Sequence, residues 1–138
     1  MADWTLRNLR EDVDDAAAQY GMGPELETRF GRKALELEGG GFSYQRMAPN
    51  YTLPFGHTHE QQEEVFIVLS GSGRAKLDGE VQELRQWDAL RLPPHVARGF
   101  AAGPDGMELL VIGFGDGGDS ETIDGYWDET SPKPSGEG

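Results

Sequence analysis

The sequence predicts an all-β protein, an antiparallel sandwich or barrel preceded by one short helix. Short apolar segments recur at intervals of about 8–12 residues between Leu26 and Gly115, and turn-forming residues separate them. The chain has 138 residues, which is about one domain. It has no cysteine, so its stability must come from a hydrophobic core and not from disulfides.

Residues 1–24 are predicted to form an extension ahead of the barrel. Trp4–Leu9 alternate enough to be a short strand, and Glu11–Tyr20 have the length of a helix of about three turns. Aspartates at positions 12, 14 and 15 lie near the start of this helix, where the helix dipole favours acidic side chains. The run Gly21–Pro24 then ends it.

Residues 25–115 are predicted to form the barrel, with turn residues between its strands. Asp78-Gly79 is a typical hairpin turn and should join two strands directly. The predicted strands are Phe30–Leu37, Phe42–Met47, a segment beginning at His57, Val65–Leu69, Arg74–Leu77, Val81–Leu84, Ala89–Leu92 and Met107–Phe114.

The run Glu64–Leu69 is apolar on both of its faces. Alternation places Glu64, Phe66 and Val68 on one face, and the residues between them on the other. We expect the first face to line the barrel interior. The second should pack on another sheet or on a partner subunit.

Residues 116–138 are predicted to be an acidic tail rich in Gly, Asp, Ser and Pro. Only Ile123, Tyr126 and Trp127 are apolar enough to dock on the barrel. The last ten residues are expected to be disordered.

The net charge of −13 indicates which macromolecules the protein can bind. Such a surface repels phosphate backbones, so nucleic acid is not expected as a partner. No apolar stretch has the length of a membrane span, and the first residues show no secretory signal. We therefore expect a cytoplasmic protein with no membrane partner. The sequence also lacks the GxxxxGK[ST] phosphate loop of nucleotide-binding proteins and the GxSxG motif of hydrolases.

His57 and His59 are the main chemical signal in the chain. Residues two apart on a strand point to the same face, so the two imidazoles converge. The acids that could join them are Glu60, Glu63 and Glu64. Two imidazoles and a carboxylate are a chelating set for a divalent transition metal such as Fe, Zn, Ni or Mn.

This region resembles the cupin superfamily, in its small single-domain form. His57-Thr58-His59, then Glu64, then Gly71 is similar to the first cupin motif, and Trp87–Pro94 is similar to the start of the second. The resemblance covers about Phe42–Phe114. It implies a jelly-roll-like antiparallel double-stranded β-helix, commonly a homodimer, with a metal held by His57, His59 and Glu64. Glu63 would be the ligand only if the register slipped by one residue.

The sequence departs from the family pattern at Tyr51, where glycine is usual, and at Arg98, where the fourth ligand is usually histidine. Arginine has no lone pair to offer a metal. Three interpretations stay open. Arg98 could orient an anionic substrate beside a three-ligand metal, it could replace the metal by pairing with Glu64, or His95 could supply the fourth ligand.

The predicted pocket contains further side chains besides the ligands. Phe66 and Phe100 should point into the barrel, and Tyr44 and Arg46 share one face of an earlier strand. Arg98 is the candidate catalytic residue. If the protein is an enzyme, the resemblance implies dioxygenase- or isomerase-like chemistry on a small anionic metabolite. The alternative is a metal-free cupin that binds a small-molecule ligand without turning it over.

Overall fold

The computed structural model describes residues 3–115 and 117–127. Eight antiparallel strands follow a single-turn helix, and the sheet that they form curls back on itself. In chain order the elements are α1 (Ala16–Gln19), β1 (Leu26–Phe30), β2 (Gly40–Met47), β3 (Phe55–His59), β4 (Glu63–Leu77), β5 (Glu80–Arg85), β6 (Ala89–Leu92), β7 (Arg98–Phe114) and β8 (Ser120–Asp124). Within the described residues, no helix could cross a membrane.

Strands β4 and β7 are the centre of the sheet because each is long enough to pair with several others. The C-terminal part of β7 pairs with both β2 and β4, and its N-terminal part pairs with β4 and, at Arg98, with β3. β4 also pairs with β5 and β6, while β1 and β8 lie at the ends of the remaining path. This is the predicted antiparallel double-stranded β-helix, and the prediction of fold class is confirmed.

The interior of the barrel follows the alternation of β4. Glu64, Phe66 and Val68 are buried, whereas the residues between them stay partly exposed on the outer face. The buried apolar core includes Met47, Phe66, Val68, Leu84, Leu92, Phe100, Met107 and Leu109. The predicted division of this strand into an inner and an outer face is therefore correct.

The glycine-rich segment in the middle of β4 differs from the prediction. The sequence predicts two strands, Val65–Leu69 and Arg74–Leu77, with a turn between them, but a single strand continues through this segment with two register shifts against β7. Gly71 has a φ of 74°, and a Cβ there would lie 2.0 Å from the carbonyl oxygen of Gly106. Only glycine fits this close approach. Gly71 therefore lets one long strand bend between the part that pairs with β6 and the part that pairs with β5.

The N-terminal region also differs from the prediction. The predicted strand Trp4–Leu9 is absent, and the helix is restricted to Ala16–Gln19. It begins there because the Asp15 carboxylate accepts hydrogen bonds from the backbone N–H groups of Ala17 and Thr28, which caps α1 and ties it to β1.

The strand predicted at Phe30–Leu37 is displaced toward the N-terminus and forms at Leu26–Phe30 instead. After it, the backbone hydrogen bonds become local: Leu35 N–H donates to Gly31 and Leu37 N–H donates to Arg32. A chain that satisfies its hydrogen bonds within a few residues forms turns and cannot extend the sheet.

Strand β8 extends the barrel past the predicted boundary at residue 115. It pairs with β3 along its whole length, from His59 opposite Ser120 to Phe55 opposite Asp124. Beyond it, the Tyr126 side chain is buried and its hydroxyl donates to the carbonyl of Ala97. The last ten residues, which were predicted to be disordered, lie outside the described residues.

A group of three arginines joins the N-terminal segment to the outer face of the sheet. Glu27 is 4% exposed and accepts hydrogen bonds from Arg10, Arg29 and Arg46. The bond from Arg10, followed by those from the other two, holds the pKa of Glu27 well below its ordinary value despite burial. The carboxylate is therefore ionised throughout the ordinary pH range.

Candidate metal centre

Strands β3 and β4 bring the three predicted ligands together. His57 and His59 lie on one face of β3, and the chain then turns so that Glu64 enters the interior at the start of β4. One candidate ligand atom from each residue lies within 4.8 Å of the others. Two imidazole nitrogens and a carboxylate oxygen converge, as the i, i+2 spacing predicted.

The two imidazoles approach the same carboxylate oxygen, Glu64 Oε1. His57 Nε2 is 3.5 Å from it and His59 Nε2 is 3.2 Å from it. The two rings stand edge to face, with centroids 4.9 Å apart and an angle of 88° between their planes. The His57 side chain is 26% exposed and that of His59 is 7% exposed, so the group is accessible from the His57 side.

His59 Nε2 gives a direct test of whether these residues fit a metal ion. The atom is buried, and within the described part of the chain it makes no hydrogen bond even though Glu64 lies near it. A buried polar nitrogen without a partner is costly. Coordination to a divalent transition metal would satisfy it, and the donor set suits such a metal. The residues present therefore fit a metal.

The other nitrogen of His59 is held by Asp119, which lies just before β8. Nδ1 is 2.9 Å from one carboxylate oxygen of Asp119, and the second oxygen accepts the backbone N–H groups of residues 60, 61 and 62. The backbone bond from Gln61 and the contact with His59 keep the pKa of Asp119 well below its usual range. An ionised carboxylate only accepts hydrogen bonds, so Asp119 keeps a proton on Nδ1 and leaves Nε2 as the nitrogen that faces Glu64 and could bind a metal.

Arg98 lies directly opposite His57 in the pairing of β3 with β7, but it does not reach the open side of the group. It is 0% exposed. Its Nη1 donates to Glu64 Oε1 at 2.8 Å. Its Nε and Nη2 atoms donate to the carbonyl oxygens of Pro93, Pro94 and Val96. A side chain held by this many acceptors anchors the loop and the Glu64 carboxylate.

The charges around Glu64 favour its ionised form. Burial raises the pKa of Glu64, but the hydrogen bond and charge of His57, and the charges of His59 and Arg98, together lower it. Burial lowers the pKa of Arg98 and the Glu64 carboxylate opposes that shift. Guanidinium stays protonated in proteins. Glu64 is thus an anion with one permanent cation beside it, and it has lone pairs left for a metal.

A cavity of about 630 Å³ opens beside the three ligands. His57, His59 and Glu64 form part of its wall, together with Gln62 and Phe66. This volume lies in the range of roughly 300–1,000 Å³ that small-molecule sites occupy. The arrangement can hold a metal and leave space for a ligand next to it.

The other predicted pocket residues do not all face this cavity. Phe66 lines it, while Phe100 lies behind Phe66 in the core, with ring centroids 4.6 Å apart. Tyr44 and Arg46 point to the outer face of β2, where Tyr44 donates to Glu108 and Arg46 binds Glu27. The cavity is lined instead by Ser43 and Gln45, their neighbours on β2, and by Gly41 and Phe42 at the start of the strand.

The two competing ligands considered from the sequence lie elsewhere. Glu63 is on the opposite face of β4 and pairs with Arg91 at the surface. His95 is exposed in the loop before β7 and does not belong to the group of candidate ligands found among the described residues. Asp119 was missed, because it follows Gly117 and Gly118 in a segment whose composition indicated a tail.

Comparison with known proteins supports the assignment of fold. Residues 43–113, just over half of the chain, match the family model described as the cupin domain. Among proteins with curated descriptions, none matches the sequence.

Solved structures resemble the chain over most of its length. A cupin protein from Bacteroides fragilis is 27% identical, with a TM-score of 0.68 over 86% of this chain and 89% of that one. The polyketide cyclase RemF from Streptomyces resistomycificus is 22% identical, with a TM-score of 0.67 over 87% of this chain and 84% of that one. A predicted oxalate decarboxylase from Thermotoga maritima is 17% identical, with a TM-score of 0.58 over 66% of this chain and 81% of that one.

Proposed function

The chain belongs to the cupin family, and from that premise we propose that it binds a divalent transition metal through His57, His59 and Glu64 and a small molecule beside it. The observation that carries the proposal is the buried His59 Nε2, which has no hydrogen bond in the described part of the chain while its other nitrogen is held by Asp119. This arrangement leaves Nε2 of His59 available to coordinate a metal.

The roles of the chain's own residues follow from their contacts. His57 and His59 would hold the metal by imidazole nitrogens and Glu64 by its carboxylate. Arg98 keeps that carboxylate in place, and Asp119 keeps the His59 ring oriented. Three protein ligands leave positions for a substrate, and a metal bound in this way supplies Lewis-acid activation or, if it is iron, dioxygen chemistry. We therefore propose isomerase- or dioxygenase-like activity, and the names of the similar structures, a polyketide cyclase and a predicted oxalate decarboxylase, are consistent with enzymes on this fold.

Metal content tests the proposal most directly. Untagged protein, purified without chelators, should contain close to one equivalent of metal by plasma mass spectrometry. Replacing one of three ligands should weaken zinc affinity more than about 100-fold, since even residues that only support a ligand change it by roughly 10–100-fold. His57→Ala and His59→Ala should both show this loss, and His95→Ala, the matched control at the exposed third histidine, should not.

The alternative function is a metal-free cupin that binds a small molecule. It is favoured by one contact, the buried ion pair between Arg98 Nη1 and Glu64 Oε1 at 2.8 Å, which already supplies the carboxylate with a cation. Protein that lacks metal and cannot be reloaded with iron, zinc, nickel or manganese would support this alternative and overturn the first proposal.

We also propose that the protein forms a homodimer through the outer face of β4 and β7. Val65 pairs with Ile112 and Ile67 with Leu110, and all four side chains remain partly exposed. A contiguous apolar patch of this kind is typical of an interface. In sedimentation equilibrium, Ile112→Glu should produce monomers. Val81→Glu is the control because Val81 is 52% exposed on β5, and it should leave the dimer intact. A monomeric wild type would contradict this proposal.

The proposed location is the cytoplasm, and the proposed partners include neither nucleic acid nor membrane. A chain without cysteine does not depend on an oxidising compartment. Its net charge of −13 opposes binding to phosphate backbones.

A further inference from the structure

The wall of the cavity beside the candidate metal centre is mainly apolar. Six different elements contribute apolar side chains to it: Ala17 from α1, Leu26 from β1, Phe42 from β2, Phe55 from β3, Phe66 from β4 and Val111 from β7. A cavity with apolar side chains on this many sides favours a ligand with a large apolar surface, because burial of apolar surface is the main source of affinity.

Apart from the three candidate ligands, most of the polar side chains in the wall are uncharged. Thr28, Ser43 and Gln45 offer hydroxyl and amide groups that can bind a neutral oxygen. The buried cation nearest the candidate ligands is already paired. Arg98 is engaged with Glu64 and loop carbonyls, and Arg32 donates to the carbonyl of Gly115. Lys33 also lines the cavity but is exposed to solvent.

The size of the cavity, like the polarity of its wall, favours a ligand larger than a small anion. A cavity of about 630 Å³ is suited to a drug-sized molecule, while an acid of a few atoms would leave most of it unfilled. The small anionic metabolite expected from the sequence depended on Arg98 as its binding group. With Arg98 withdrawn from the cavity, the physical reason for that expectation is gone.

We propose that the ligand of this site is a largely apolar molecule with one or more rings, bound to the metal through a neutral or enolic oxygen, as in phenols and β-diketones. The inference rests on the proposed metal function and adds the chemical class of ligand to it. The metal would bind the oxygen donor of the ligand, and the apolar wall would pack against its ring.

Two β-diketones that share a chelating head provide the test. Acetylacetone carries two methyl groups, and benzoylacetone replaces one of them with a phenyl ring. Both are titrated by calorimetry into protein loaded with zinc, and their affinities for aqueous zinc serve as the reference. Burial of the added ring predicts that benzoylacetone binds about 10- to 100-fold tighter than acetylacetone, beyond their ratio for zinc in water. Oxalate, a small chelating dianion, should gain no such advantage.

Two variants locate the effect in the cavity. Ser43→Phe places a ring on the cavity wall and should return the preference to the aqueous ratio. Val81→Phe is the control, because Val81 is 52% exposed on β5 and is not part of the cavity wall, and it should keep the wild-type preference. Zinc affinity and thermal unfolding of each variant establish that it is folded and loaded.

The outcomes separate this inference from the proposed function. A zinc-loaded wild type that shows no preference for benzoylacetone, or that binds oxalate best, overturns the class of ligand and leaves the metal site standing. A wild type that does not bind zinc overturns both. If Ser43→Phe does not fold, the ratio of the two β-diketone affinities in the wild type alone tests the class of ligand.

Discussion

Asp119 offers the sharpest test of how this site is organised. Replacing it with asparagine keeps the shape of the side chain and removes its charge. One oxygen of Asp119 accepts three backbone N–H groups, from residues 60, 61 and 62, at 3.1, 2.6 and 3.0 Å. These donors need an acceptor, so the amide oxygen of the asparagine should face them. Its NH₂ group must then face Nδ1 of His59.

That orientation reverses the tautomer of His59. A neutral imidazole that accepts a hydrogen bond at Nδ1 carries its proton on Nε2, which is the atom expected to bind the metal. Metal binding would have to displace that proton or break the new hydrogen bond. We therefore expect Asp119→Asn to weaken zinc affinity by roughly 10- to 100-fold, the usual effect of removing a carboxylate that supports a ligand histidine.

Competition with a zinc-binding dye measures this affinity, and nitrogen-15 chemical shifts of the imidazoles in metal-free protein report the tautomer independently. Asp124→Asn removes the same charge from β8, where it lies opposite Phe55 and away from the ligands, and should change neither quantity. If Asp119→Asn binds zinc as tightly as Asp124→Asn does, and His59 keeps its proton on Nδ1, the reasoning about Asp119 is refuted.

Three further predictions concern buried charge. In metal-free protein, Arg98→Met leaves Glu64 without its cation and should lower the free energy of unfolding by about 3–5 kcal/mol in urea titrations, against at most about 1 kcal/mol for Arg91→Met in the exposed pair. An equal loss in the two variants would contradict it. Arg98→His puts an imidazole opposite His57 and should tighten zinc binding roughly tenfold, or ~1.4 kcal/mol; unchanged affinity would count against a three-ligand site. Glu27 has a folded-state pKa below its ordinary 4.5, so its stabilising effect is complete above that pH and is lost as the pH falls toward the lowered value. Glu27→Gln should therefore flatten the loss of stability between pH 7 and about pH 3.5, and a slope equal to the wild type's would refute this.

The sequence predicted that His57, His59 and Glu64 lie together, because the signal for this grouping is local. The spacing of His57 and His59 requires a shared face on any strand, and the motif spacing selected Glu64 over Glu63, which lies at the surface. Tyr44 and Arg46 show the limit of the same rule. They share a face, as predicted, but alternation does not say which face of an isolated strand is the inner one.

The parts that the sequence did not predict depend on long-range pairing. Strand β8 is polar because it lies at an end of the sheet, so it lacks the apolar alternation that identifies a strand. The pairing of β8 with β3 brings Asp119 next to His59, and no local pattern encodes a contact between residues 60 positions apart. Similarly, the burial of Arg98 follows from the carbonyl groups of the loop around it.

Asp119 lies outside the part of the chain that matches the family, although it contacts a residue of the family motif. The matched domain ends at residue 113, and Asp119, whose carboxylate contacts Nδ1 of His59, comes six residues later, outside the match. If the proposed metal site is correct, a mutation of Asp119 would change metal affinity and leave every residue of the family motif unchanged. Two homologues with identical motifs could therefore differ in metal affinity, and sequence comparisons limited to the motif would group them together.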